Sequence, residues 1–258
     1  MSRLKDAVYG FAVADALGVP FEFKWKGRFE CTDMVGYGSW NRPRGTWSDD
    51  TSMTLATCDS IRILGRVDSR DIMERFQAWF RHGKYAIDGD VFDVGNTVSG
   101  ALERYDGTDP ICGIDDPQQN GNGALMRILP LAFTDADDNA ISDVARITHG
   151  HSLSTGYCIE YVRIARSLLR GESVVFPYTE PVKSSGFVRD TFNAVMYSLS
   201  SSSSYREAVL TAVNLGNDTD TVAAITGGLA GIIYGYGAIP SDWIEKLRGK
   251  DLIDSCLF

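Results

Sequence analysis

Residues 219–234 are the part of the sequence that most restricts the fold. Their sequence, TDTVAAITGGLAGIIY, carries apolar or small side chains on every face of a helix, so we predict a helix at 219–234 that is buried on all sides. Small residues allow neighbouring helices to approach this segment closely, at Ala223, Ala224, Gly227 and Gly228. The rest of the chain must therefore pack around this helix.

Two carboxylates, Asp218 and Asp220, stand at the start of this buried helix. Capping is one explanation, because an aspartate there can accept hydrogen bonds from free N–H groups and favours the positive end of the helix. A buried charge is nevertheless expensive unless a partner neutralises it. The sequence therefore predicts either capping residues or a group that neutralises these acids.

Most other segments repeat apolar residues at three- and four-residue spacing, which predicts helices. Convincing alternating strands are scarce, so we expect an all-α fold. The further predicted helices are 51–64, 71–81, 94–105, 140–149, 155–169, 187–199, 205–214 and 241–247. No composition break marks a linker, so we expect one domain over residues 1–258.

The composition argues against several classes of protein. The 258 residues carry a formal net charge of -9, which argues against binding nucleic acid or an anionic membrane through a general positive field. Five scattered cysteines form no CxxC pair, so we predict free or buried thiols of a reducing compartment. The N-terminal segment is amphipathic and lacks the apolar run of a signal peptide, and no stretch is apolar enough for a membrane span. We expect a cytoplasmic protein that acts as a monomer.

A second acidic motif, GTWSDDTSM at 45–53, also precedes a helical run. Ser48, Asp49 and Asp50 could be capping residues, but two adjacent acids are more than a cap requires. If they converged with Asp218 and Asp220, divalent cations would be needed to make the convergence favourable. Carboxylate and hydroxyl oxygens suit Mg²⁺ or Mn²⁺ rather than zinc, and two such ions could activate water. The two motifs together suggest a metal-dependent hydrolase.

Three weaker motifs have an ordinary structural explanation beside a functional one. The GNG tripeptide at 121–123 can cradle a phosphate before a helical stretch, or form a simple turn. His149, in ITHGHS, can contact phosphate or ribose, or be a hydrogen-bonded structural residue. Asp93 and Asn96, in FDVGNTV, can form a polar site or cap a helix.

Taken together, these motifs resemble the ADP-ribosylglycohydrolase family, and in particular its bacterial reductase-activating and arginine-specific members. The resemblance rests on GFAVADALGVPFEF at 10, GTWSDDTSM at 45, FDVGNTV at 92, NGNGALMRILPLA at 120, ITHGH at 147 and NLGNDTDTVAAITGGLAGIIYG at 214. It implies a compact orthogonal bundle of helices with two Mg²⁺ or Mn²⁺ ions at the base of a cleft. The implied metal ligands are Ser48, Asp49, Asp50, Asp218, Asp220 and Thr221.

The resemblance also implies roles for residues around the metals. Asp93 and Glu22 would move protons or approach the bound water, with Asp50 and Asp218 as catalytic metal ligands. The implied substrate-binding residues are Asn96, Gly121, Asn122, Gly123, Met126, His149, Gly186 and Phe187. Among these, Phe187 is the candidate platform on which adenine stacks.

The implied activity is hydrolysis of the N- or O-glycosidic bond between ADP-ribose and an acceptor, with release of ADP-ribose. Arginine is the favoured acceptor, and serine-linked, O-acyl and nucleic-acid-linked ADP-ribose are alternatives. A two-metal phosphoesterase is a second candidate function, and a non-catalytic ADP-ribose-binding relative is a third. The expected partner is an ADP-ribosylated protein or small molecule.

Overall fold

The computed structural model describes residues 3–258, which form eleven α-helices, no β-strand and four isolated β-bridges. The predicted all-α fold is thereby confirmed. The helices are α1 (Arg3–Gly18), α2 (Asp49–Leu64), α3 (Ser69–His82), α4 (Asn96–Arg104), α5 (Asp138–Arg146), α6 (Ser152–Leu169), α7 (Val188–Ser200), α8 (Tyr205–Val213), α9 (Thr219–Tyr234), α10 (Ser241–Lys246) and α11 (Lys250–Cys256). Six 3₁₀ segments occur in the connections, at Val19–Phe21, Gly38–Trp40, Ile87–Gly89, Leu125–Arg127, Leu129–Phe133 and Tyr236–Ala238.

The observed helices differ from the predicted ones at several ends. Helix α2 begins at Asp49, two residues earlier than predicted, so both acids of the second motif lie in its first turn. Helix α5 ends at Arg146 rather than at 149. The stretch after the GNG tripeptide was expected to be helical but forms two 3₁₀ segments, and Pro130 stands at the start of the second, where it lacks a backbone N–H.

Helix α1 is buried on almost all sides. Leu4 and every residue from Ala7 to Gly18 are buried, so the prediction of an amphipathic N-terminal segment was wrong. The physical reason is that α2, α8, α9 and α11 all contact α1, which leaves it almost no solvent-facing side. A helix surrounded in this way needs no polar stripe.

Helices α1 and α9 run antiparallel at very short distance. A Cβ atom placed on Gly10 would lie 2.4 Å from the carbonyl oxygen of Gly227, and one on Gly231 would lie 2.3 Å from that of Asp6. The hydroxyl of Tyr205, in α8, donates a hydrogen bond to the Gly10 carbonyl oxygen at 2.6 Å. Of the small residues predicted to allow close packing on α9, Gly227 therefore lies directly against the backbone of α1, whereas Gly228 faces the side chains of Leu129, Tyr161 and Phe11.

Two structural features bear on the classes of protein considered above. All five cysteines are free thiols, as predicted, and Cys31, Cys58, Cys158 and Cys256 are buried. Across residues 3–258, no helix combines the length and the apolar character that crossing a bilayer requires.

The close contact of α1 and α9 predicts a large effect of one methyl group. We expect Gly227→Ala to lower the free energy of unfolding by about 1–3 kcal/mol or more, because its Cβ would lie 2.3 Å from the Gly10 carbonyl oxygen and 2.5 Å from the Cβ of Ala14. Gly156→Ala is the matched control, since Gly156 is exposed in α6 with open space around its Cβ position. Gly156→Ala should stabilise by about 0.4–1 kcal/mol. Urea unfolding followed by circular dichroism measures both, and equal stability of the two variants would contradict the packing described.

Candidate functional site

The ends of three helices meet beside the α1–α9 contact. A Cβ atom on Gly18, the last residue of α1, would lie 2.3 Å from the Cα of Asp220 in the first turn of α9. The start of α2 is attached to α1 through Asp15, whose carboxylate accepts hydrogen bonds from the backbone N–H of Ser48 at 2.9 Å and of Thr51 at 3.1 Å. The Thr51 hydroxyl also donates to this carboxylate, at 2.6 Å. The two acidic motifs, from distant parts of the chain, are thereby brought together.

The carboxylates form two overlapping groups. Oxygen atoms of Asp15, Asp50 and Asp220 all lie within 4.8 Å of one another, and so do oxygen atoms of Glu22, Asp93 and Asp220. Asp220 belongs to both groups. Such a separation allows several oxygens to contact one cation, and the shared acid allows two cations to be neighbours.

The acids keep free oxygen atoms in the interior. The hydroxyls of Ser48 and Thr221 donate hydrogen bonds to Oδ2 of Asp50, at 2.9 and 3.3 Å. Oδ1 of Asp50 and Oδ2 of Asp220 are buried and have no hydrogen-bond partner among residues 3–258. Since a buried polar atom without a partner is costly, these oxygens fit a ligand set for a hard divalent cation.

The pKa values of these acids reflect their burial and the closeness of other carboxylates. Burial, followed by the charges of neighbouring carboxylates, raises the pKa of Asp50 and Asp220 well above the ordinary value. Burial raises the pKa of Asp15 to about 6, although hydrogen bonds from the start of α2 oppose the shift. Burial also raises the pKa of Glu22 to about 7, against the hydrogen bond that Trp40 donates to it. A nearby cation would oppose all four shifts.

Two of the four predicted carboxylate ligands belong to neither carboxylate group. Asp49 and Asp218 line the cleft above the groups, together with Thr221. Oδ2 of Asp218 accepts a hydrogen bond from the side-chain amide of Asn122 at 2.7 Å. The structure therefore gathers Ser48, Asp50, Asp220 and Thr221 around the buried acids and leaves Asp49 and Asp218 at the cleft surface.

A cleft of about 510 Å³ opens over the acids. Asp49, Asp218 and Thr221 line this cleft. Most of the other predicted site residues line it too: Glu22, Asp93, Asn96, Gly121, Asn122, Gly123, Met126, His149 and Gly186. Phe187 does not line this cleft. It is half-buried beside it, forms an isolated bridge with Gly121, and has the Arg189 guanidinium over its ring at 5.4 Å.

The capping explanation holds at one of the three motifs. The Ser48 side chain caps α2 by accepting a hydrogen bond from the Asp50 backbone N–H at 3.3 Å. Asp218 occupies the N-cap position of α9, but its side chain forms no capping hydrogen bond, since Asn122 holds one of its oxygens. Gly95 is the N-cap of α4, so neither Asp93 nor Asn96 caps that helix. Capping therefore does not explain Asp218 at the start of α9 or Asp93 before α4.

Three residues of the site were missed at the sequence level. Asp15 lies in the segment GFAVADALG and is fully buried. Its position as the single acid in an otherwise apolar segment could have marked it as a site residue. Trp40 and Phe23 line the cleft near Glu22, and the Trp40 indole N–H donates to a Glu22 carboxylate oxygen. Phe23 lies in a turn and Trp40 ends the 3₁₀ segment Gly38–Trp40, and no periodic pattern marks either position.

Three of the seven non-glycine residues with positive φ among residues 3–258 lie at the cleft. Phe23, Asp93 and Asn217 have φ angles of 64°, 62° and 61°, in the left-handed region that non-glycine residues seldom adopt. All three line the cleft. Strain of this kind persists only where the surrounding structure enforces it, and it is typical of functional sites.

Comparison with known proteins agrees with this geometry. A family model described as ADP-ribosylglycohydrolase matches residues 1–183 and 175–257. The chain belongs to the ADP-ribosylglycohydrolase family. The resemblance drawn from the motifs is confirmed, and family membership makes the chain a glycohydrolase enzyme.

Named relatives of this ADP-ribosylglycohydrolase cover most of its length. An ADP-ribosylarginine hydrolase of Serratia proteamaculans is 32% identical over an alignment of 290 positions that covers 99% of this chain and 78% of the relative. An ADP-ribosyl-[dinitrogen reductase] glycohydrolase of Rhodospirillum rubrum is 33% identical over an alignment of 276 positions that covers 96% of this chain and 91% of the relative. A solved structure titled ADP-ribosylglycohydrolase-related protein complex matches with a TM-score of 0.83 at 30% identity, over 98% of this chain and 95% of that one.

The raised pKa values predict that stabilisation by Mg²⁺ depends on pH. Without an ion, Asp15 and Glu22 favour the folded state only while protonated, and that stability is lost as the pH rises through about 6 and about 7. Burial and neighbouring carboxylates also raise the pKa of the expected ligands Asp50 and Asp220, and Mg²⁺ binds carboxylates in the deprotonated form, so protons compete with it as the pH falls. We expect Mg²⁺ to raise the melting temperature clearly at about pH 7.5 and only slightly at about pH 5, relative to the chelated protein.

Differential scanning calorimetry with Mg²⁺ or with a chelator measures the increase in melting temperature that Mg²⁺ causes. Potassium chloride at equal ionic strength is the control for screening of charges. If Mg²⁺ raised the melting temperature by the same amount at both pH values, the result would contradict a cation site made of carboxylates.

Proposed function

We propose that the protein hydrolyses the glycosidic bond between ADP-ribose and an acceptor group and releases intact ADP-ribose. The observation that carries the proposal is the pair of overlapping carboxylate groups under the cleft, centred on Asp50 and Asp220. The relative named ADP-ribosylarginine hydrolase favours arginine as the acceptor. Serine-linked, O-acyl and nucleic-acid-linked ADP-ribose are alternative substrates.

We propose two divalent cations, Mg²⁺ or Mn²⁺, as cofactors. Support comes from the buried free oxygens of Asp50 and Asp220 and from a donor set made entirely of oxygen atoms. When bound, the cations would neutralise the carboxylates, polarise a ribose oxygen and lower the pKa of a water molecule beside them. The residues that would hold them are Ser48, Asp49, Asp50, Asp218, Asp220 and Thr221.

The cleft wall is proposed to orient the ADP-ribose. The GNG loop borders the cleft, and the Asn122 side chain is fixed by hydrogen bonds to the Thr191 hydroxyl and to Asp218. Glycines there let a diphosphate approach the backbone closely. The proposed contact residues are Asn96, Gly121, Asn122, Gly123, Met126, His149 and Gly186, with Phe187 at the edge as the adenine platform.

Glu22 and Asp93 are proposed to move protons during hydrolysis, with Asp50 and Asp218 as catalytic metal ligands. Both line the cleft, so they can reach a substrate, and both approach Asp220. Glu22 is held by the Trp40 indole and, through its backbone carbonyl oxygen, by the Ser39 hydroxyl at 2.5 Å. A fixed carboxyl next to the reacting bond meets the geometric requirement for acid–base catalysis.

We also propose that residues 1–258 form one domain that acts as a monomer in the cytoplasm. The antiparallel contact between α1 and α9, near opposite ends of the chain, supports one domain. The free thiols support a reducing compartment.

An assay of products tests the proposal. With ADP-ribosylated arginine as substrate and Mg²⁺ present, we expect release of intact ADP-ribose, and a loss of about 100-fold or more for Asp50→Asn because one buried metal ligand is weakened. Asp138→Asn is the matched control, since this acid also begins a helix but lies half-exposed and outside the cleft. Chromatography of the products after fixed times measures both effects.

Each other outcome points to a different function. Formation of AMP and ribose phosphate from ADP-ribose would identify a two-metal phosphoesterase. Binding of ADP-ribose without turnover of arginine-, serine-, O-acyl- or nucleic-acid-linked substrate would identify a non-catalytic relative. Full activity of Asp50→Asn would contradict the proposed cation site.

A further inference from the structure

Arg127 is a buried cation with no acid beside it. Its side chain is fully buried, and its guanidinium lies over the ring of Phe76 at 4.6 Å from the centroid. It donates hydrogen bonds to the carbonyl oxygens of Gly123 at 3.1 Å and Val144 at 3.2 Å, and to the hydroxyl of Thr148 at 2.7 Å. Within residues 3–258 it takes part in no ion pair.

Thr148 connects this cation to His149. The Thr148 hydroxyl oxygen lies 2.8 Å from Nδ1 of His149, and Thr148 is fully buried. A guanidinium can only donate, so the hydroxyl oxygen must accept from Arg127 and its own proton needs a separate acceptor. In the part of the chain that the structure describes, Nδ1 is the acceptor within reach of this hydroxyl. Nδ1 must then be unprotonated, which leaves the ring proton on Nε2.

The other protonation states of His149 are disfavoured. A proton on Nδ1 would leave the buried Thr148 hydroxyl proton without an acceptor, which is costly. A doubly protonated ring would place a second positive charge in the interior near Arg127. Burial, followed by the charge of Arg127, accordingly lowers the pKa of His149 to about 3.

Nε2 of His149 is directed at the GNG loop of the cleft. His149 is only 1% exposed, and its Nε2 has no hydrogen-bond partner among residues 3–258. A Cβ atom on Gly121 would lie 3.3 Å from Nε2, and one on Gly123 would lie 3.0 Å from the neighbouring Cε1. His149 is part of the cleft lining, and any side chain larger than that of glycine at Gly121 or Gly123 would press against this edge of the ring.

We propose that Arg127 and Thr148 are positioning residues that hold His149 as a neutral donor, with its Nε2–H facing an oxygen of bound ADP-ribose. This inference rests on the proposed function for the identity of the ligand. The Arg127 charge polarises the Thr148 hydroxyl and, through it, the imidazole, which strengthens the outward N–H as a donor to an anionic diphosphate or a ribose oxygen. Because the ring stays neutral, its donor role does not change across the physiological pH range.

The protonation state can be measured without a ligand. Two-bond ¹H–¹⁵N correlation spectra of the full chain labelled with ¹⁵N-histidine separate the two neutral forms and the imidazolium. His82→Gln and His151→Gln assign the signals of the three histidines. We expect a protonated Nε2 and an unprotonated Nδ1 for His149 at neutral pH, and loss of this single state in Thr148→Val.

The binding consequence is tested with ADP-ribose in titration calorimetry. We expect Thr148→Val to weaken binding about tenfold, because a charge-assisted hydrogen bond is impaired. Thr148→Ser should restore both the spectrum and the affinity. Thr57→Val, which removes another fully buried threonine hydroxyl bonded only to a helical carbonyl oxygen, should leave both unchanged.

A protonated Nδ1 or an imidazolium in the wild-type spectrum would overturn the proposal. Unchanged ADP-ribose affinity in Thr148→Val, with the spectrum altered, would overturn the donor role. If the wild type failed to bind ADP-ribose or to release it from a substrate, the proposed function would fail instead. The wild-type spectrum would then decide the positioning role by itself, since it is recorded without ligand.

Discussion

The structure depends on the antiparallel contact between α1 and α9. Glycines at the contact let the two backbones approach so closely that a single Cβ at Gly10 or Gly227 would overlap a carbonyl oxygen of the other helix. The same contact places the end of α1 against the start of α9, and Asp15 then attaches the start of α2. Carboxylates from three segments consequently share one buried volume, where like charges repel unless a cation or protons neutralise them.

Much of the fold could be predicted because most helices have one buried face and so show a clear period. Helix α9 was predicted with its observed bounds, since TVAAITGGLAG is too apolar to lie at the surface. Helix α1 was missed because it is buried on nearly every side and its pattern loses the helical period. The 3₁₀ segments at 125–133 were missed because their apolar residues resemble a helix until Pro130 is considered.

The candidate site was predictable where burial of charge contradicts the surrounding sequence. The sequence places the acids Asp218 and Asp220 beside a helix that must be buried, and the paired acids Asp49 and Asp50 are more than a helix cap requires. The structure brings these two segments together. The assigned roles stay predictions. Trp40 and the arrangement of Arg127 and Thr148 could not be foreseen, because their contacts join distant segments and no local spacing encodes a hydroxyl between a guanidinium and an imidazole.

Titration calorimetry with Mn²⁺ or Mg²⁺ on the metal-free protein tests the central claim most directly, namely that the buried carboxylates hold divalent cations. Asp220 belongs to both carboxylate groups, so one substitution reaches the whole site. The account predicts two equivalents bound by the wild type and by Asp138→Asn, and weak or no binding by Asp220→Asn. Absence of binding by the wild type, or binding by Asp220→Asn equal to that of the wild type, would contradict it.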